Sequence, residues 1–102
     1  MWRITEMYGY EPVTKVYDEL ERAERYGTSG VVDAYATAFS NYKKDYRTLT
    51  ELVMALNWKS HEHQKDNPVL SDLYDTLFFI VQKYARENLK GEELSYFYRT
   101  TD

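Results

Sequence analysis

The sequence predicts an all-α protein, a compact bundle of about four main helices plus a short C-terminal helix. Three observations carry that expectation. Apolar residues recur at spacings of three and four along most of the chain. Proline, glycine and capping signals fall where those runs begin and end. Strand-like alternation is confined to residues 1–10, and no partner strand follows. The 102 residues, 43% hydrophobic and 29% charged, have a globular balance and suit one domain, residues 1–102.

The elements can be justified in order. Trp2, Ile4, Glu6, Tyr8 and Tyr10 alternate, but a lone strand has nothing to pair with, so residues 1–10 are expected to form an arm or a short helix. Pro12 suits a first helical position and Gly27 the residue after a helix end. Between them Val13, Val16, Tyr17, Leu20, Ala23 and Tyr26, or Glu24 beside it, form one apolar face. Asp18–Arg22 and Glu21–Arg25 add acid-before-base pairs four apart. A second helix is expected after "TSG", capped by Thr28 or Ser29. Its stripe is Val31, Val32, Tyr35, Ala38, Phe39, Tyr42 and Tyr46, and Gly30 is tolerable in its first turn.

"TLTE" at 48–51 has the pattern of a capping box and predicts the start of a third helix, with Leu49, Leu52, Val53 and Leu56 facing inward. Its last turns are the polar "KSHEHQKD". Asn67 and Pro68 form a cap and first-turn pair for a fourth helix, whose stripe from Leu70 to Leu89 runs unbroken to Gly91. Phe79 and Ile80 widen that stripe, so this helix is expected to be central and buried on more than one side. "EELSYFYR" at 92–99 reads as the short final helix, with Glu92 and Glu93 suited to the positive end of its dipole.

Composition narrows the possible functions. With no cysteine, disulfide frameworks, cysteine-based zinc sites and thiol catalysis are excluded. The N-terminal "MWRITEMYGY" has no signal-like apolar run, and "LFFIV" at 77–81 is too short to cross a bilayer. These features predict a soluble, cytoplasmic protein without membrane association. A net charge of −4 and a pI near 5.2 count against a domain that mainly grips phosphates. Tyrosine is abundant, 11 against 4 Phe, and a phenol ring suits the wet edge of a small core or an interface.

Catalytic and metal chemistry find little footing. A zinc-protease helix needs His-Glu-x-x-His, with ligands four apart on one face. "HEHQK" puts Lys65 at the second position, while His61 and His63, two apart, point to opposite sides of a regular helix. They are weak metal candidates, able to converge with Asp66 only if the helix frays. Otherwise they belong to a solvated helix end. Glu19, Glu21, Glu24, Asp72 and Asp75 are expected mostly on polar faces, and no Glu-x-x-His of a di-iron bundle is present. Nucleophile elbows and phosphate-cradling glycine loops are absent. No enzymatic activity and no cofactor are expected.

Two binding classes remain. Lys43, Lys44 and Arg47 gather at the junction of the second and third helices, with Lys59 and Lys65 extending basic character along the third. Together they could hold nucleic-acid phosphates, although "LTELVMALN" lacks the basic start of a recognition helix. Trp58, Phe79, Tyr96 and Tyr98 do not all fit a core-facing stripe. Such rings serve either as lids on the bundle or as a patch for a protein partner or a second copy.

Residues 49–102 together with "YGYEPVTKVYDEL" at 8–20 resemble a family of small helical proteins carried on conjugative transposons and related mobile elements of Gram-positive gut bacteria. Leu49–Val53, Leu56–Asn57, Leu73–Tyr74, Leu89–Gly91, Leu94, Tyr96 and Thr101–Asp102 carry the resemblance. Those positions serve packing and capping, and the family brings no activity with it. The resemblance implies a cytoplasmic accessory protein of a mobile element. The leading expectation is a non-enzymatic interaction module acting on a protein partner or by self-association; the alternative is a small DNA-associated regulator.

Overall fold

The structure, a computed structural model, describes the backbone of residues 11–101 and the side chains of residues 15–99. The expectation for residues 1–10 lies outside the described residues. The chain forms α1 (Glu11–Ala23), a 3-10 turn (Glu24–Tyr26), α2 (Gly27–Tyr42), α3 (Tyr46–Glu62), α4 (Pro68–Asn88) and α5 (Glu92–Thr101). This is the expected all-α bundle with a short last helix.

Helix boundaries follow local chemistry. Asn67 extends its side chain to accept from Leu70 N at 3.2 Å, and Pro68 occupies the first turn of α4. Gly91, at φ 61°, makes the turn into α5. The start of α3 departs from expectation. Its cap is Asp45, whose Oδ1 accepts from Arg47 N at 3.0 Å. Thr48 instead donates to the Asp45 carbonyl at 3.1 Å, and Glu51 is buried. Asp45 opens the helix one turn before the Thr48–Glu51 box, so the box lies inside it.

The passage from α1 to α2 is a tight elbow. No side chain caps α2. The turn closes instead on the Gly27 amide, which donates to the Glu24 carbonyl, with Gly27 at φ 75°. A 3-10 turn winds three residues per turn, so it rotates the side chains that follow away from the α1 stripe. Of the two residues offered for the end of the α1 stripe, Tyr26 is accordingly exposed and Glu24 is the one that faces inward. Gly30 completes the elbow because a Cβ there would lie 2.6 Å from the Ala23 carbonyl oxygen and 2.6 Å from Tyr26 Cβ.

The central helix is α3, not α4. It packs against all four other described helices. Leu49, Leu52, Val53, Ala55 and Leu56 are buried on several of its sides. Around it gather Val16 and Leu20 of α1, Val31, Tyr35 and Ala38 of α2, Leu70, Tyr74, Leu77, Val81 and Ala85 of α4, and Phe97 of α5. The expectation that Phe79 and Ile80 are buried fails: they are 60% and 47% exposed. Both leave the face carrying Leu70, Leu77 and Val81, because among the described residues α4 has helix neighbours on one side only. Val32 of the α2 stripe is exposed as well.

Gly30→Ala tests the elbow by the sign of its effect. An unobstructed helical position would gain roughly 1 kcal/mol from this change. Here the crowded Cβ is expected to cost about 1–3 kcal/mol, seen as a lower urea midpoint at unchanged m-value. A raised midpoint contradicts the close approach.

Candidate functional site

The stripe that starts with Leu49, Leu52 and Leu56 continues at Lys59 and Ser60, three and four residues further along α3. Lys59 is therefore directed into the bundle, where it is 0% exposed. An ammonium group removed from water needs close opposite charge. Three carboxylates supply it: Glu24 Oε2 at 2.9 Å, Glu62 Oε2 at 3.4 Å and Glu21 Oε1 at 3.8 Å. The Tyr17 ring covers the remaining side, with Lys59 Nζ 4.7 Å from its centroid.

Glu24 is the junction of the cluster. Its Oε2 accepts from the Tyr74 hydroxyl at 2.6 Å and lies 3.0 Å from His63 Nε2. His63 follows the end of α3, stacks on Tyr74 with ring centroids 6.2 Å apart, and sets its Nδ1 3.1 Å from Asp66 Oδ1. Both ring nitrogens thus face carboxylate oxygens. The Tyr17 hydroxyl donates to Glu62 Oε2. One set of polar contacts thereby joins α1, the elbow, α3, the following turn and α4.

The electrostatics match the geometry. Burial by itself raises the Glu24 carboxyl, but hydrogen bonds from Tyr74, Lys59 and His63 and the charge of Lys59 hold it below its ordinary value. Burial, then the hydrogen bond to Glu62 and the nearby negative charge, push the Tyr17 phenol well up. Tyr74 is pushed up further, by burial first and then by Glu24. Both phenols are held as neutral donors.

A second set of contacts clamps α3 to α4. Ser71 Oγ donates to the Ser60 carbonyl at 2.8 Å. The Ser60 hydroxyl lies 2.9 Å from Asp75 Oδ1 and 3.2 Å from the Ser71 carbonyl, so its single proton has two close acceptors. Both serines are buried, and their small size lets the helices approach.

Several sequence expectations change here. Lys59 is withdrawn from the basic surface, because it is consumed inside the bundle. Lys43, Lys44 and Arg47 are exposed near the α2–α3 junction, while Lys65 is exposed beyond the far end of α3. At 1.5 Å per helical residue that separates it from Arg47 by roughly 25 Å, so the basic residues do not form one stripe. Glu24, expected on a solvated face, is largely buried, and Asp75 accepts from a buried serine. His61 is exposed with its Nδ1 3.2 Å from Gln64 Nε2, while His63 turns toward Glu24 and Asp66. Among the described residues, no group of three or more His, Asp or Glu could hold a metal ion.

The aromatic candidates also divide. Trp58 is half-buried. Tyr96 is half-buried edge-on to Tyr46 at 5.3 Å, and Tyr98 packs against the core with the Arg86 guanidinium 6.0 Å above its ring. Phe79 alone of the four is exposed, accompanied on α4 by Ile80 and by Val69, which is 70% exposed.

Chemically, the donors and acceptors around Lys59 face one another across helix contacts. A groove of about 450 Å³ lies between α1 and α2, lined by Lys15, Glu19, Asp33, Thr37, Asn41 and Tyr42 among others. Lys15 and Glu19 are on the opposite side of α1 from Tyr17 and Glu21, so that groove and the cluster are separate. The cluster reads as a lock on the bundle, while Phe79, Ile80 and Val69 lie exposed on α4. No helix among the described residues is long and apolar enough to cross a membrane. No family model, curated protein or solved structure matches this chain.

The neutral phenols give a pH signature. Their ordinary value is 10.0 and the folded values are raised. The stability they contribute is therefore present in full below about pH 10 and is lost as the pH climbs toward the folded values. A phenolate absorbance titration carried to high pH, followed together with circular dichroism, reads this out. Ionisation of Tyr17, Tyr74 and the burial-raised Tyr35 and Tyr42 should coincide with loss of helical circular dichroism. Complete ionisation with the helix signal intact contradicts the lock.

Proposed function

We propose that this chain is a non-enzymatic protein-interaction module whose working surface is the outer face of α4. The observation that carries the reading is the exposure of Phe79, Ile80 and Val69 on a helix whose opposite face is fully packed. Small domains leave single apolar side chains in water routinely. Two large ones side by side in mid-helix, with a third beyond them, resemble the apolar core of a contact surface. The Lys59 cluster supports the same reading from the other direction: its groups are engaged with one another and hold the scaffold that presents α4. The resemblance carried by residues 49–102 adds an accessory role on a mobile element to the proposal.

The DNA-associated alternative draws on Lys43, Lys44 and Arg47, now without Lys59. Replacing Phe79 with a photo-crosslinking amino acid, in cells expressing the full chain, is expected to yield protein adducts. The same residue at exposed Thr37 should yield none. A salt-dependent affinity for random duplex DNA that is abolished by Lys43→Ala with Lys44→Ala overturns the module reading in favour of the alternative.

A further inference from the structure

We infer that the occupant of the α4 face is a second copy of this chain, docked helix against antiparallel helix across a two-fold axis at Phe79. The inference rests on the interaction-module reading and deepens it by naming the partner. It comes from the order of charges along the exposed face.

On the outer side of α4, Asp72, Phe79 and Arg86 recur every seven residues, so they lie along one line of the helix. Asp75 and Lys83 lie four residues before and after Phe79, within about half a right angle of that line. All five are exposed, and Ile80 extends the apolar centre to one side. Along the Phe79 line the face therefore reads acidic, apolar, basic from its N-terminal to its C-terminal end, with exposed Glu87 flanking the basic end on the Ile80 side. This order also suits the helix's own dipole, positive at its start and negative at its end.

A two-fold axis at Phe79 sets the residue n places before it against the residue n places after it in the second copy. Asp72 then meets Arg86 and Asp75 meets Lys83, and each pairing occurs twice. The two Phe79 rings meet at the centre, where a two-fold contact requires self-complementary surface. A parallel pairing would oppose acid to acid and base to base, so the charges select the antiparallel arrangement. Phe79 stands edge-on to Phe78 with ring centroids 5.3 Å apart, and two of the charged side chains also have neighbours within the chain. Asp75 accepts from Ser60 at 2.9 Å, and the Arg86 guanidinium lies 6.0 Å above the Tyr98 ring. Both contacts leave the residues exposed while restricting their rotamers, which lowers the ordering cost of association. A contact made by one helix per copy is smaller than the ~800 Å² per partner of a standard interface, so a reversible dimer of micromolar strength is the expected form.

The test is sedimentation equilibrium of the purified full chain, 12.2 kDa, over a micromolar concentration series. The expected result is a reversible monomer–dimer equilibrium. Phe79→Glu should make the chain monomeric with its helical circular dichroism unchanged. Asp72→Arg and Arg86→Asp should each weaken the dimer about tenfold, and an equimolar mixture of the two should recover association as a heterodimer with both charge pairs restored. A wild-type chain that stays monomeric throughout overturns the inference, as does a dimer that survives Phe79→Glu or a mixture that fails to recover. Crosslinking at position 79 separates the two levels. Adducts to another protein from a monomeric chain leave the module reading standing, and no adducts at all remove it together with the dimer.

Discussion

The bundle depends on how one buried ammonium group is satisfied. Lys59 is carried inward because α3 is the helix that every other described helix touches, and no position on its inner stripe reaches solvent. Such a charge costs several kcal/mol unless carboxylates meet it. Meeting it requires α1 to bring Tyr17 and Glu21, the elbow to bring Glu24 and the end of α3 to bring Glu62. The elbow geometry, the turn after α3 and the position of Tyr74 on α4 are thereby fixed relative to one another. Apolar packing of Leu, Val and Tyr side chains supplies most of the stabilisation; the ion cluster specifies which packing is adopted.

Much of this fold is legible in the residues, and the exceptions have physical causes. Asn67–Pro68 and Gly91 mark helix ends because their local chemistry suffices: a side-chain acceptor, a missing amide and a permissive φ. Asp45 competes with the Thr48–Glu51 box for the start of α3, and choosing between them requires knowing that Glu51 is buried by neighbouring helices. Lys59 had a visible signal, since it continues the Leu52–Leu56 spacing. Residue type masked that signal, because lysine is almost never fully buried unless paired. Two of its three carboxylate partners, Glu21 and Glu24, lie more than thirty residues earlier, beyond the reach of any local pattern. Phe79 and Ile80 fail in the opposite sense. Their hydrophobicity argues for burial, and only the arrangement of helices leaves them facing water.

The structure therefore holds a closed polar cluster and an exposed helix face. The polar cluster at the elbow end is closed on itself and confers rigidity. The outer face of α4 is open and ordered in charge. The Ser60–Ser71–Asp75 contacts join them, since Asp75 both accepts from a buried serine and stands at the edge of the exposed face. A rigid helix presenting a patterned face is what specific recognition by a small domain requires, because little entropy remains to be lost on docking. Trp58 and the C-terminal tyrosines, the other aromatic candidates, are half-buried at the bundle's edges, and the open surface lies elsewhere.

A double-mutant cycle between Lys59 and Glu24 shows whether the buried ammonium group holds the bundle together. Urea unfolding of Lys59→Met, Glu24→Gln and the double variant isolates the interaction from the loss of either side chain alone. A cluster that specifies the packing predicts a coupling of about 2 kcal/mol, within the range for residues sharing a buried network. Additivity to within about 0.5 kcal/mol would mean that the two groups do not hold one another, and the account of the bundle built on Lys59 would be contradicted.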